Sequence, residues 1–203
     1  MSLLPLAVLA LLLGQGAPPG GQPVRPPAPA GLSWEDADWV SGTLARIERR
    51  VGAGKPASRQ PIVVTERQLN SYVRLAAKLP SALTNVEVGL QKDRLLARGT
   101  LDLDQVKSKM PQGAGLLGFL SGTVPVELRG RLWSAEGSGR VEVEEATVAG
   151  ISLPPSLLAQ IVSQSTKSAK RPEGIDILAA FPLPYTARRV RLEPGRALVE
   201  FYQ

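Results

Sequence analysis

VPVELRGRLWSAEGSGRVEVEEATV, residues 124–148, contains two runs in which apolar and charged side chains alternate, joined by a glycine-rich segment. A period of two predicts strands with one apolar and one solvated face, and the turn at 136–139 predicts an antiparallel hairpin. At Glu144–Glu145 the phase slips, because Ala146 and Val148 are the next apolar pair, which predicts a β-bulge. The apolar series before the slip comprises Val124, Val126, Leu128, Gly130, Leu132, Val141 and Val143.

The same alternation continues on both sides of this hairpin. Residues 86–90 lead through a turn at 91–93 into residues 95–103, and a last hairpin is predicted around Glu193–Arg196. These segments predict a long antiparallel sheet, and glycines inside long strands permit strong curvature.

Three segments have helical periodicity instead. The first helix begins after Ser33, a good N-cap, and the second after the capping-box pair Thr65 and Gln68. Pro154 and Pro155 open the third helix, which contains Leu157, Leu158, Ile161 and Val162. We therefore predict an α+β fold in which a long, strongly curved antiparallel sheet packs against two or three amphipathic helices.

The first 31 residues are expected to lie outside this domain. Eleven of residues 1–13 are apolar, which is too short for a membrane-spanning helix but fits the apolar core of a secretory signal. We predict a signal peptide over 1–17, a proline-rich linker over 18–31 and one domain over 32–203. The protein would be exported to the periplasm or cell envelope. No Lys or Arg precedes Arg25, so an uncleaved tether and a disordered apolar tail stay open as alternatives.

The chain contains neither histidine nor cysteine. This excludes Ser-His-Asp and Cys-His catalysis, disulfides and metal sites built on those ligands. Asp102 and Asp104, two apart on a predicted strand, are a weak candidate for Ca²⁺ binding or acid–base catalysis, and the solvated face of any strand looks the same. For Glu142, Glu144 and Glu145 we expect cross-strand charge pairs. With no phosphate-binding or nucleophile motif, we predict a non-catalytic protein with no metal and no cofactor.

The net charge of +6 comes from 24 basic and 18 acidic side chains, and it is dispersed. Few aromatic side chains are present for base stacking, so no nucleic-acid partner is expected. The basic excess near the C-terminus suits peripheral contact with an anionic membrane, with a plain basic surface as the alternative. It comprises Lys167, Lys170, Arg171, Arg188, Arg189, Arg191 and Arg196.

Several short motifs together resemble a group of bacterial envelope proteins. They are Val64-Thr-Glu-Arg-Gln-Leu-Asn-Ser-Tyr72, Thr100-Leu-Asp-Leu-Asp104, Gly122-Thr-Val-Pro-Val126, Ala149-Gly-Ile-Ser-Leu-Pro154 and Phe181-Pro-Leu-Pro184. The chain is similar to the families typified by the mycobacterial LmeA protein and by the YpmS and YceB proteins, and in outline to the tubular lipid-binding (TULIP) domains. The resemblance implies a coiled sheet and helices that enclose an acyl chain, and it supplies no catalytic residue.

We therefore predict binding or transport of an amphipathic membrane lipid in the cell envelope. The alternative is a non-catalytic envelope scaffold whose core is fully packed. For the glycine-flanked residues 116–120, ordinary core and a lip over an acyl groove are both open. The candidate lipid-binding residues are Val86, Val88, Leu101, Leu103, Leu116, Leu117, Phe119, Leu120, Val126, Leu128, Leu157, Leu158 and Ile161. Lipid identity, partner proteins and oligomeric state stay open.

Overall fold

A computed structural model describes residues 25–107, 121–166, 176 and 178–203. The helices are α1 (Trp34–Gly52), α2 (Glu66–Leu75), α3 (Leu103–Lys107) and α4 (Pro155–Thr166). The strands are β1 (Ile62–Thr65), β2 (Leu83–Gln91), β3 (Arg94–Asp102), β4 (Thr123–Ala135), β5 (Ser138–Val148), β6 (Ile151–Ser152), β7 (Phe181–Pro182), β8 (Ala187–Glu193) and β9 (Arg196–Phe201). No helix among these residues is long and apolar enough to cross a bilayer.

The strands form two antiparallel sheets, which confirms the α+β class. The large sheet has the order β2-β3-β4-β5-β6, and β7 pairs with the start of β5. The small sheet has the order β1-β9-β8. The last hairpin, β8–β9, does not extend the large sheet. Strand β9 pairs with β1 instead, so these three strands form a separate sheet.

The predicted bulge is confirmed on β5. Arg129 of β4 pairs with Glu145, and the next residue, Gly130, pairs with Val143. Glu144 is thus the extra residue, and Ala146 and Val148 return to the buried face. The bulge lets both halves of β5 present their apolar side chains to the core.

Helices α1 and α2 begin as their capping residues predict. Thr65 and Gln68 form a complete capping box at α2. Ser33 caps α1, and its own amide donates to the buried Oγ of Ser71 on α2 at 3.0 Å. An ion pair between Asp36 and Arg67, with Nε 3.0 Å from Oδ2, also joins the two helices.

Helix α2 covers the free edge of β2. The Asn70 side chain donates to Val88 O and accepts from Val88 N, each at 2.7 Å, and Glu66 Oε2 accepts from Leu90 N at 2.6 Å. Edge strands expose unpaired backbone groups that must be covered or solvated. Polar residues of the Val64–Tyr72 motif therefore have structural roles.

The two sheets are joined near the turns of their hairpins. Asp93 N donates to Leu192 O, and Gly195 N donates to Leu90 O. Ser134 Oγ accepts from Val190 N at 2.8 Å and donates to Val190 O. A continuous set of buried apolar side chains runs from the large sheet through α2 to the small sheet and α1.

Candidate functional site

A narrow apolar groove lies between α1 and the inner face of the small sheet, and its cavity volume is about 30 Å³. Helix α1 lines it with Trp39, Val40, Thr43, Leu44 and Ile47, the small sheet with Ile62, Val64, Ala187, Val190, Val199 and Phe201, and the segment before β8 with Leu183, Pro184 and Tyr185. This volume has room for no more than about two water molecules, and most of the lining side chains are buried. An acyl chain can therefore enter only if α1 and the small sheet move apart.

The amphipathic patterns of the elements create this lining. On α1, Val40, Leu44 and Ile47 recur at helical spacing, and alternate residues of β8 and β9 point to the same side of the small sheet. Only Thr43, Tyr185 and the indole of Trp39 bring side-chain polar atoms to the lining. Such a surface gains free energy by burying hydrocarbon and offers few partners to a polar ligand.

The turn at Tyr185–Thr186 forms part of the groove wall and is strained. Tyr185 has φ 53° and Thr186 has φ 60°, and Ala187 N donates to Pro184 O at 3.0 Å to close the turn. A positive φ is uncommon for residues other than glycine and is an outlier for a β-branched threonine. Such strain costs on the order of 1–3 kcal/mol per residue and is held in place by the surrounding structure.

Two tyrosines at or near the groove have raised pKa values. Burial raises the pKa of the Tyr185 phenol, and Glu48 on α1 adds to the rise. Burial also raises the pKa of Tyr72 on α2, with a further contribution from Tyr185. Tyr185 is therefore close enough to α1 and α2 to interact electrostatically with Glu48 and with Tyr72.

The predicted lipid-binding residues lie elsewhere in the described structure. Six of them are buried in the core: Val86, Val88, Leu103, Val126, Leu128 and Leu158. Leu101 and Leu157 are partly buried against that core. None of these eight lines the apolar groove. Leu116, Leu117, Phe119, Leu120 and the side chain of Ile161 fall outside the described residues.

The sequence shows the apolar patterns of the elements that line the groove, but it does not show that these elements face one another. The apolar stripe of α1 and the alternation in β8 and β9 are visible as separate patterns. Neither pattern says that the two surfaces face one another. Trp39 and Tyr185 belong to no motif, so no local signal would have placed them at one site.

The prediction that Asp102 and Asp104 share a strand face is wrong. Strand β3 ends at Asp102, and the chain turns into α3. Asp102 Oδ1 accepts from the amides of Asp104 and Gln105, each at 3.0 Å. The hydrogen bonds from the amide and side chain of Gln105 lower the pKa of Asp102. Asp104 accepts from Gly122 N at 3.0 Å. Both carboxylates thus accept hydrogen bonds from backbone amides and stabilise the local turn. In the described part of the chain, no group of acidic residues could hold a metal ion.

Cross-strand charge pairs form at two of the three glutamates for which we expected them. Glu144 Oε1 lies 3.2 Å from Arg94 Nε and 3.5 Å from Arg131 Nη2, and Glu145 pairs with Arg129 at 3.4 Å. Glu142 instead accepts from the Trp133 indole at 3.4 Å. These pairs are largely exposed, so each adds at most about 1 kcal/mol to stability.

Most of the described C-terminal cations already have acidic partners. Arg188 pairs with Glu136 at 3.0 Å, Arg191 with Glu200 at 3.1 Å and Arg196 with Glu193 at 2.6 Å. Arg189 is exposed, and Lys167, Lys170 and Arg171 lie outside the described residues. The basic excess that the sequence places near the C-terminus is therefore partly neutralised within the fold.

Comparison with known proteins adds no assignment to this geometry. Neither the protein-family models nor the curated proteins nor the solved structures include a match to this chain.

Proposed function

We propose that the protein binds an amphipathic lipid without catalysing a reaction, and that an acyl chain of the lipid occupies the apolar groove. The observation that supports this most directly is the lining. Twelve of its fourteen side chains are apolar, and they come from a helix, a sheet and a connecting segment. A hydrocarbon chain is the ligand that gains most from such a surface.

The energetics set a minimum length for the chain. Each methylene removed from water contributes about 0.8 kcal/mol. Binding costs on the order of 4–15 kcal/mol, because the lipid loses translational and rotational freedom. About ten methylenes must therefore be buried before the hydrophobic free energy offsets a cost of about 8 kcal/mol. Affinity should therefore rise steeply with chain length and level off once the groove is filled.

The fold that we propose is of the tubular lipid-binding type, with a strongly curved large sheet. Two features of the strands support curvature. Glu144 is an extra residue in β5, and bulges increase local twist. Gly130 lies where an added Cβ would be 2.9 Å from Glu142 O, so the strands approach closely there. On this proposal the protein belongs with the envelope families that its motifs resemble and works after export, consistent with its apolar N-terminal run.

The test is to measure lipid directly on the purified full chain. Native mass spectrometry and solvent extraction should recover a bound lipid. Displacement of a fluorescent fatty acid by saturated fatty acids of increasing length should show the rise and plateau in affinity. Folded protein that yields no lipid and shows no affinity at any chain length would overturn the proposal.

A matched pair of substitutions locates the site. Ala187→Leu adds methyl groups at the groove wall. Ala97→Leu makes the same addition on the large sheet, where Ala97 pairs with Val88 and Leu128, both predicted lipid contacts. We expect Ala187→Leu to weaken binding at least tenfold and Ala97→Leu to leave it near the wild-type value, with folding of both checked by circular dichroism. The reverse result would place the lipid on the large sheet.

A non-catalytic envelope scaffold is the second candidate. It is favoured by the burial of Val88 and Leu128, 0% and 3% exposed, and by the equally low exposure of Val40 and Val64 in the groove lining, 2% and 3%. A scaffold would show no dependence of fatty-acid affinity on chain length.

A further inference from the structure

A cluster of cations lies at the C-terminal end of α1 and in the loop that follows it. The members are Arg46, Arg49, Arg50, Lys55 and Arg59, and we call this set the α1 basic end. Glu48 is the one acidic residue between positions 46 and 59. Within the part of the chain that the structure describes, none of the five cations forms a salt bridge.

The hydrogen bonds of this cluster leave its charge uncompensated. Arg50 Nε donates to Pro56 O at 2.8 Å, and Arg49 Nε donates to Ala45 O at 3.3 Å. Arg46 donates to the Thr43 hydroxyl at 3.1 Å. All three acceptors are neutral, so these bonds orient the side chains without cancelling their positive charge. The surface therefore attracts an anionic partner.

The α1 basic end adjoins the apolar groove. Trp39, Thr43, Arg46 and Arg50 are spaced at i, i+4, i+7 and i+11, which places them in one stripe along α1. Trp39 and Thr43 line the groove, and Trp39 is 40% exposed. An exposed indole, a row of arginines and an apolar opening therefore occur together.

We propose that the α1 basic end and Trp39 form a docking surface for a lipid bilayer that contains anionic headgroups. Tryptophan favours the interface between headgroups and hydrocarbon, and clustered Lys and Arg are attracted to anionic lipid surfaces. Single-stranded nucleic acid fits less well, because its recognition uses several aromatic side chains for stacking and this stripe contains one. Docking in this orientation would hold the groove opening against the membrane. The docking goes beyond the proposed lipid uptake and can succeed or fail without it.

The test is vesicle co-sedimentation of the full chain. Vesicles of phosphatidylcholine alone are compared with vesicles of phosphatidylcholine and phosphatidylglycerol, at low and at raised salt. We expect binding to be stronger on the anionic vesicles, and the difference to shrink as salt screens the charges. The apolar N-terminal run is present in every sample, so its contribution cancels in comparisons between variants.

Two triple variants with the same loss of charge separate a local surface from net charge. The first is Arg49→Gln, Lys55→Gln and Arg59→Gln in the α1 basic end. The control is Arg74→Gln, Lys92→Gln and Arg140→Gln, three exposed cations elsewhere that also form no salt bridge with described residues. Each basic residue near an anionic surface strengthens partitioning about fivefold.

We expect the first triple variant to lose at least tenfold in partitioning onto anionic vesicles, and the control less than twofold. Equal losses in both variants would overturn the proposal, as would tighter binding to a single-stranded oligonucleotide than to anionic vesicles. Fatty-acid displacement on the same variants keeps the two proposals apart. Loss of vesicle binding with normal displacement supports docking, and normal vesicle binding in the first variant refutes it whether or not the groove takes up lipid.

Discussion

Asn70 makes two hydrogen bonds to a single residue on another element, Val88 of β2. β2 is at one end of the large sheet, so its outward backbone groups have no neighbouring strand. The amide side chain supplies both a donor and an acceptor and so replaces one step of a strand ladder. A residue that belongs to a short motif is thereby explained by edge protection, without any ligand.

We expect Asn70→Ala to destabilise the protein by about 2–4 kcal/mol, because it leaves the N–H and C=O of Val88 without partners. Asn70→Asp keeps the acceptor and should cost less. Urea unfolding followed by circular dichroism measures both. Arg74→Ala, an exposed change on the same helix, is the control and should stay within about 0.5 kcal/mol of wild type. Equal stability of Asn70→Ala and wild type would contradict this role.

Tyr72 should make stability sensitive to alkaline pH. Its pKa is raised by burial, so the unfolded chain releases this proton at a lower pH than the folded protein does. The contribution is complete below the unfolded pKa of about 10 and is lost as pH rises through the folded pKa.

We therefore expect Tyr72→Phe to flatten the fall in the free energy of unfolding above about pH 10. Denaturant titrations at a series of pH values from neutral to strongly alkaline measure how steeply the free energy of unfolding falls with pH. A slope that Tyr72→Phe leaves unchanged would contradict this expectation.

At the scale of elements, glycine weakens the helix α1 but is required for packing in the strand β5. Gly42 lies inside α1, where an added Cβ would meet no atom within 4 Å. Gly139 of β5 faces β7, where an added Cβ would lie 2.8 Å from the Phe181 ring and 3.1 Å from Leu183. Gly139 is thus required for close packing, whereas Gly42 only loosens its helix.

We expect Gly42→Ala to stabilise the protein by about 0.5–1 kcal/mol, since alanine loses less backbone entropy in a helix. Gly139→Ala should destabilise it by about 1–3 kcal/mol through overpacking that displaces β7. Thermal unfolding of the two variants side by side gives the comparison. A rise in melting temperature for Gly139→Ala would show that β7 can shift freely.

Short-range signals predicted several elements well. The capping box at Thr65, the turn at Glu193–Arg196 and the bulge near Glu144 all depend on neighbouring residues and are confirmed. The end of β3 was missed, because α3 has only five residues and its apolar Leu103 continues the alternation of the strand. A helix of five residues is too short to change the spacing of apolar residues from the period of a strand to that of a helix.

For the whole molecule, several polar contacts join the two sheets at the ends of their hairpins. Ser134 bonds both backbone groups of Val190, and Val190 lines the apolar groove. The hydroxyl thus joins the end of the large sheet to the strand that forms one wall of the groove.

We expect Ser134→Ala to destabilise the protein by about 1–3 kcal/mol, because two half-buried backbone groups lose their partner. We also expect weaker fatty-acid binding, since the wall at Val190 is no longer held. Chemical denaturation and fluorescent displacement measure the two effects. Ser138→Ala, an exposed change near the same hairpin turn, should alter neither. Unchanged stability of Ser134→Ala would show that the Ser134 hydroxyl does not stabilise the contact between the sheets.

Local sequence patterns were sufficient for the α+β class, the helix starts, the hairpins and the face of each strand that is apolar, because each depends on residues within a few positions of one another. Tertiary structure decided what covers each apolar face. It placed Val88 and Leu128 in packed core, and it set α1 opposite the small sheet with a cavity of about 30 Å³ between them. Hydrophobic periodicity shows that a face is to be buried, but the partner is chosen by contacts between distant segments. The cations of the α1 basic end already lie close together in the sequence, but their position beside the apolar groove is visible only in the folded chain.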